Sequence, residues 1–115
     1  MNITPIEELE DRWNSRNALM DILPLLKYNY PDVLEVISDS KIIDKAKLLK
    51  VVEYSLTFPS RHWALSAVTW MENGMVINQE INDKLVSISK DKTDSQNLRH
   101  RAIKQSNRWL RGEKI

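Results

Sequence analysis

Polar positions are scarce and aligned between Ser60 and Glu72. At 3.6 residues per turn, His62, Ser66, Thr69 and Glu72 fall on one narrow line. Trp63, Ala64, Leu65, Ala67, Val68, Trp70 and Met71 fill the rest of the circumference. A helix that is polar on one thin stripe is covered on most of its sides. The pattern therefore predicts a central helix with neighbours on both sides, opened by Pro59 and Ser60 and ended by Gly74.

The other segments also repeat at helical spacing. Thr4-Pro5-Ile6-Glu7 reads as a capping box with proline at the first helical position, followed by Ile6, Leu9, Trp13, Asn17 and Met20 on one face. Pro24 interrupts the apolar run Ala18–Leu26, so a break or kink is expected near Leu23. Pro31 starts a short helix carrying Val33, Leu34, Val36 and Ile37. Ser40 is expected to cap the next helix, with Ile42, Ala46, Leu49, Val52 and Leu56 buried and Lys41, Asp44, Lys47 and Lys50 in water. Ile77, Ile81, Leu85 and Ile88 form the cleanest stripe, on a helix from about Val76 to Lys90. Thr93-Asp94-Ser95-Gln96 reads as a second capping box, opening a last helix lined by Leu98, Ala102, Ser106 and Trp109, with Ile103 and Leu110 beside them. Gly74 and Gly112 each follow a periodic segment, where a left-handed C-cap is wanted. No run alternates with period two for long. The expected fold is all-α, one domain over residues 1–115, built as a compact stack of antiparallel helical hairpins with about six helices.

Arg61-His62-Trp63-Ala64-Leu65 recurs 38 residues later as Arg99-His100-Arg101-Ala102-Ile103, with a weaker echo in Ser15-Arg16-Asn17-Ala18-Leu19. An Arg-x-x-Ala-[Leu/Ile] start to one helix, followed by an Ile/Leu-striped second helix, resembles HEAT-like repeats, well over about residues 60–111 and loosely over 15–58. The resemblance implies that Ser60–Glu72 and Asp94–Arg111 are outer helices and that the last copy is a terminal cap. Val76–Lys90 would be an inner helix presenting Gln79, Glu80, Asp83, Lys84 and Ser87 toward a concave surface.

Composition narrows the function classes. The 115 residues contain no cysteine, which removes disulfides, thiolate nucleophiles and Cys-ligated zinc together. Nothing approaches ~18 uninterrupted apolar residues, so no membrane-spanning helix is expected. The acidic N-terminus lacks an apolar signal core, and the expected location is the cytoplasm, in a bacterial host. The net charge of +1 hides an asymmetry: residues 1–40 hold eight acids and three bases, net −5, whereas residues 41–115 hold fourteen bases and eight acids, net +6.

Candidate chemistry is sparse. His62 and His100 occupy matching motif positions, but neighbouring helix axes are ~8–10 Å apart, too far for one metal ion, and neither histidine has a carboxylate four residues away. Ser38-Asp39-Ser40-Lys41 has the Ser-x-x-Lys spacing of penicillin-recognising enzymes without their companion motifs. Asn2-Ile3-Thr4 fits a glycosylation acceptor with no secretion signal behind it. Trp13, Trp63, Trp70 and Trp109 lie on apolar lines and are expected to pack in the core. No enzyme, cofactor or metal site is expected.

Binding is the remaining class. The acids Glu7, Glu8, Glu10 and Asp11, with Glu35 and Asp39, together with Gln79, Glu80 and Asp83, are the expected contacts for one protein partner. A cysteine-free single domain with an acidic half suits an immunity or antitoxin-like protein that blocks a cationic toxin or nuclease domain. The alternative is a nucleic-acid-associated accessory protein using Arg101, Lys104, Arg108 and Arg111, which recur at spacings 3, 4 and 3 on the last helix. A third possibility is a purely structural subunit.

Overall fold

A computed structural model describes residues 3–113, with the side chain of Glu113 left aside. Among the described residues the chain is all-α. Its helices are α1 (Ile6–Arg16), a 3-10 segment (Leu19–Lys27), α2 (Asp32–Val36), α3 (Lys45–Thr57), α4 (Arg61–Glu72), α5 (Gln79–Lys90) and α6 (Gln96–Glu113). The principal extents are 36 × 34 × 25 Å.

The middle of the molecule is the α3–α4 pair. The 3-10 segment packs on both of them, α5 lies against α3, α6 lies against α4, and α5 and α6 pack on each other; α1 leans on the 3-10 segment. The helix predicted as central therefore touches α3, α6 and the 3-10 segment. It buries Ala64, Ala67, Val68, Trp70 and Met71 while His62, Thr69 and Glu72 stay exposed. Its end is a Schellman motif: Gly74 adopts φ 109°, its N–H donates to the Met71 carbonyl, and the Met75 N–H reaches back to Trp70. Ile77, Ile81, Leu85 and Ile88 are all buried, as their spacing requires.

Several local expectations are corrected. No side chain caps α1; the Glu8 and Leu9 N–H groups go to the Pro5 carbonyl, and the Thr4 carbonyl accepts from the Tyr28 hydroxyl. The chain breaks at Asn17, in the left-handed region at φ 53°, and not at Leu23. Met20 is consequently off the stripe and exposed. Pro24 sits inside the 3-10 segment, whose period of three places Ile22 above Leu25 and Leu23 above Leu26; all four are buried.

Ser40 does not cap α3. Its hydroxyl oxygen accepts from the Ile42 and Ile43 N–H groups, forming a turn, and the Asp44 carboxylate caps α3 by accepting from Lys47 N–H. Because the helix starts later than expected, its buried side is Leu48, Val51, Val52, Ser55 and Leu56, and Ala46 is exposed. The turn instead plugs Ile43 into the core.

α5 starts at Gln79 under an Asn78 cap, which leaves Val76 in a connector, 79% exposed. Ser95, not Thr93, caps α6 by accepting from Leu98 N–H; the Thr93 hydroxyl donates to Asp91. α6 runs through Gly112, which therefore does not end it. Asn2 of the glycosylation pattern lies outside the described residues.

Candidate docking surfaces

Charge is distributed on this fold in two different ways. On the acidic side, α1 holds Glu7, Glu8 and Asp11 exposed, α2 holds Glu35 exposed, and the chain beyond α2 holds Asp39 exposed. Ser40 joins that chain to α1: its hydroxyl donates to Glu10 Oε2 at 2.6 Å while its oxygen organises the following turn. A shallow groove beside this bond has an apolar floor of Leu34, Ile37 and Ile43, with Glu35, Ser38 and Asp44 among its polar members. Glu8 pairs with Arg12 one turn on, whereas Glu7, Asp11, Glu35 and Asp39 enter no ion pair among the described residues. Glu7 lies near enough to Tyr28 to help raise its phenol pKa, a shift due first to burial of the hydroxyl.

The α5 set stands apart from that face, because α5 packs on α3 and α6 while α1 packs on the 3-10 segment. Gln79 donates to Asp83 at 2.7 Å, Glu80 and Ser87 are exposed, and Lys84 approaches Glu53 of α3 at 3.9 Å. The nine acidic and polar positions expected to contact one partner thus lie on two separate parts of the fold.

The basic line of α6 is turned partly inward. Arg101 donates to both Glu72 oxygens, at 2.8 and 2.7 Å, and to the Thr69 hydroxyl at 3.0 Å. Arg108 reaches the Met71 carbonyl at 3.4 Å. Both guanidinium groups therefore collect at the C-terminal end of α4, where the helix dipole and the terminal carbonyls favour cations. The Arg101 hydrogen bond holds the Glu72 carboxyl below its ordinary range, against a smaller opposing effect of burial, and raises Arg101 in turn. Lys104 and Arg111 remain exposed. The four-cation line that the nucleic-acid alternative needs is thus reduced, chiefly through Arg101.

The motif shared by α4 and α6 splits at its arginines. Arg61 opens α4 and clasps Asp94 through two bonds of 2.7 and 3.1 Å, while also donating to the Leu56 and Phe58 carbonyls. Arg99 stands one turn inside α6 with a buried Nε that meets no partner. Ala64 and Ala102 are both fully buried, so the motif's alanine does share an environment.

His62 and His100 are exposed, and His62 lies edge-on to Trp63 at 5.2 Å. No group of three or more His, Cys, Asp or Glu residues able to hold a metal occurs among the described residues. Of the tryptophans, Trp70 alone is fully buried, its indole N–H donating to the Tyr28 carbonyl at 2.9 Å. Trp13 lies half-buried beneath Lys47 Nζ at 4.2 Å, and Trp63 and Trp109 are half-buried as well.

Sequence reasoning missed a groove of about 310 Å³ between the end of α4, the α4–α5 connector and α6. Its signal was present: the apolar run Met75-Val76-Ile77 directly follows a helix-ending glycine, where chain is more often polar. Compared with protein-family models, with curated proteins and with solved structures, this chain matches none.

Proposed function

We propose that this chain is a non-enzymatic protein-binding module that docks a cationic partner on the face formed by α1, α2 and the chain after α2. The role that fits best is that of an immunity or antitoxin-like protein, which covers a toxin or nuclease domain and blocks it sterically. The observation that supports this reading is the set of exposed carboxylates Glu7, Asp11, Glu35 and Asp39, free of ion pairs among the described residues and joined across two elements by the Ser40–Glu10 bond. Carboxylates not spent on the fold are available to a partner, and they steer its approach more than they fix its final affinity.

Capture from the native host by the wild-type chain and by a Glu7→Lys/Asp11→Lys/Glu35→Lys variant tests this. The expected result is a basic protein retained by the wild type, lost by the variant, and inhibited in its own activity when bound. Its association rate should fall about tenfold or more from low to high salt. Equal retention by both chains, or a rate indifferent to salt, refutes the charge-guided reading. Salt-dependent filter binding to RNA or DNA, abolished by Lys104→Glu/Arg111→Glu, would favour the nucleic-acid alternative.

A further inference from the structure

The groove between α4, the α4–α5 connector and α6 combines apolar walls with one cationic side chain. Met71, Met75, Val76 and Trp109 supply apolar walls, and Val76 is 79% exposed. In their midst stands Gln105, 7% exposed as a residue, whose amide makes no hydrogen bond to any described residue and reaches solvent in the groove. An amide bonded there only to water can exchange that water for a ligand group of matching polarity. Its paired donor and acceptor match a peptide group, which offers one of each. Arg108 lines the groove and makes one long bond, to the Met71 carbonyl, among the described residues, which leaves most of its donors uncommitted there. Among the described residues, none that lines the groove is acidic.

We infer that this groove binds a short acidic peptide segment of a second protein. One large apolar side chain of that segment enters between Val76 and Trp109, its backbone amide pairs with Gln105, and a neighbouring carboxylate meets Arg108. The sign of the occupant follows from charge complementarity: Arg108 is at the rim and exposed Lys104 and Arg111 flank it along α6. The two methionines, unbranched and polarisable, let the walls adapt to the anchor, and Trp109 is the residue type that dominates such contacts. This site is independent of the acidic α1 face and asks for the opposite charge.

Random peptides displayed on phage and selected on the immobilised full chain provide the test. The expected winners carry a bulky apolar residue flanked by Asp or Glu. The synthesised peptides should lose about tenfold or more in affinity with Val76→Glu, Arg108→Glu or Gln105→Leu, and lose nothing with Glu7→Lys/Asp11→Lys. Val76 is exposed enough that its substitution leaves the fold intact, which circular dichroism verifies. Gln105→Leu is the variant more apt to disturb packing, and the other two decide the matter without it. Basic or uncharged winners, no enrichment at all, binding untouched by Val76→Glu, or a dimer of the chain that Val76→Glu dissolves would each overturn the inference. Failure here leaves the α1 reading standing, since the two sets of substitutions do not overlap.

Discussion

The acidic half and the basic half differ less in how much charge they carry than in what they do with it. In the basic half, Arg61 and Arg101 reach across to other elements and satisfy carbonyls or carboxylates there. In the acidic half, Glu7, Asp11, Glu35 and Asp39 enter no ion pair among the described residues, and Glu10 takes one hydroxyl hydrogen bond. Charge density is a property of sequence, but availability is a property of packing. Substitutions in the first set should therefore register as stability, and those in the second as binding.

The largest effect is expected at Arg61. Its guanidinium joins the end of α3, the start of α4 and the loop before α6, and its partner Asp94 has a side chain only 7% exposed. Arg61→Ala would leave that carboxylate buried and two helix-end carbonyls unmet, a loss of about 2–4 kcal/mol by urea unfolding. Arg61→Lys should recover part of this, since a single ammonium cannot reproduce the fork. At the matching motif position, Arg99→Met relieves an unpartnered Nε and should stay within about 1 kcal/mol of the wild type. Equal losses at both arginines would mean that the motif, and not its surroundings, sets the energetics.

How much of this was legible follows from where the cause lies. The stripe Ile77, Ile81, Leu85 and Ile88, the thin polar line of α4 and the Gly74 terminus were readable because each depends on residues within one helix. The start of α3 was not, because Ser40 and Asp44 are both good caps. The choice between them rests on Ser40 being drawn to Glu10, thirty residues away in sequence. The second capping box failed for a related reason: Arg61 holds Asp94 and Asp91 holds Thr93, leaving Ser95 as the cap. On the candidate surfaces, the inward turn of Arg101 depends on α6 crossing the end of α4, which no periodicity encodes. The buried Asn82, which accepts from Ser106 at 2.5 Å between α5 and α6, is likewise invisible to an apolar stripe.

A smaller effect is expected at Arg101 and Glu72, which are each about a third exposed or less. Partly solvated pairs are screened, so Arg101→Ala should cost about 1 kcal/mol, or roughly 4 °C in Tm for a chain of this size. The pair also has a pH signature. The folded-state pKa of Glu72 lies below its ordinary value, mainly through the Arg101 hydrogen bond. Folding therefore favours the ionised form. The contribution is complete above the unfolded carboxylate range and disappears as pH falls through the folded value. The stability gap between wild type and Glu72→Gln should be widest near neutrality and begin to close below ~pH 5. A gap that widens in acid would contradict the pairing.

The smallest change in stability is expected where the binding effect should be greatest. Glu7→Lys/Asp11→Lys removes no ion pair among the described residues, so unfolding free energy should move by about 0.5 kcal/mol, most of it from Glu7 leaving the first turn of α1. Tyr28 reports whether α1 keeps its place. Its raised pKa comes first from burial and then from Glu7, while its hydroxyl donates to the Thr4 carbonyl at 2.8 Å. With lysine at position 7 the electrostatic part reverses and the burial part persists, so ultraviolet titration should find Tyr28 ionising at lower pH than in the wild type without an exposed-tyrosine spectrum. Because the wild-type phenol is raised, its stabilising contribution is full below the ordinary tyrosine pKa and is lost as pH climbs through the folded value; the variant should lose it sooner. A variant that unfolds or undocks α1 would show that these acids hold the fold together, and the contrast between the two halves would vanish with it.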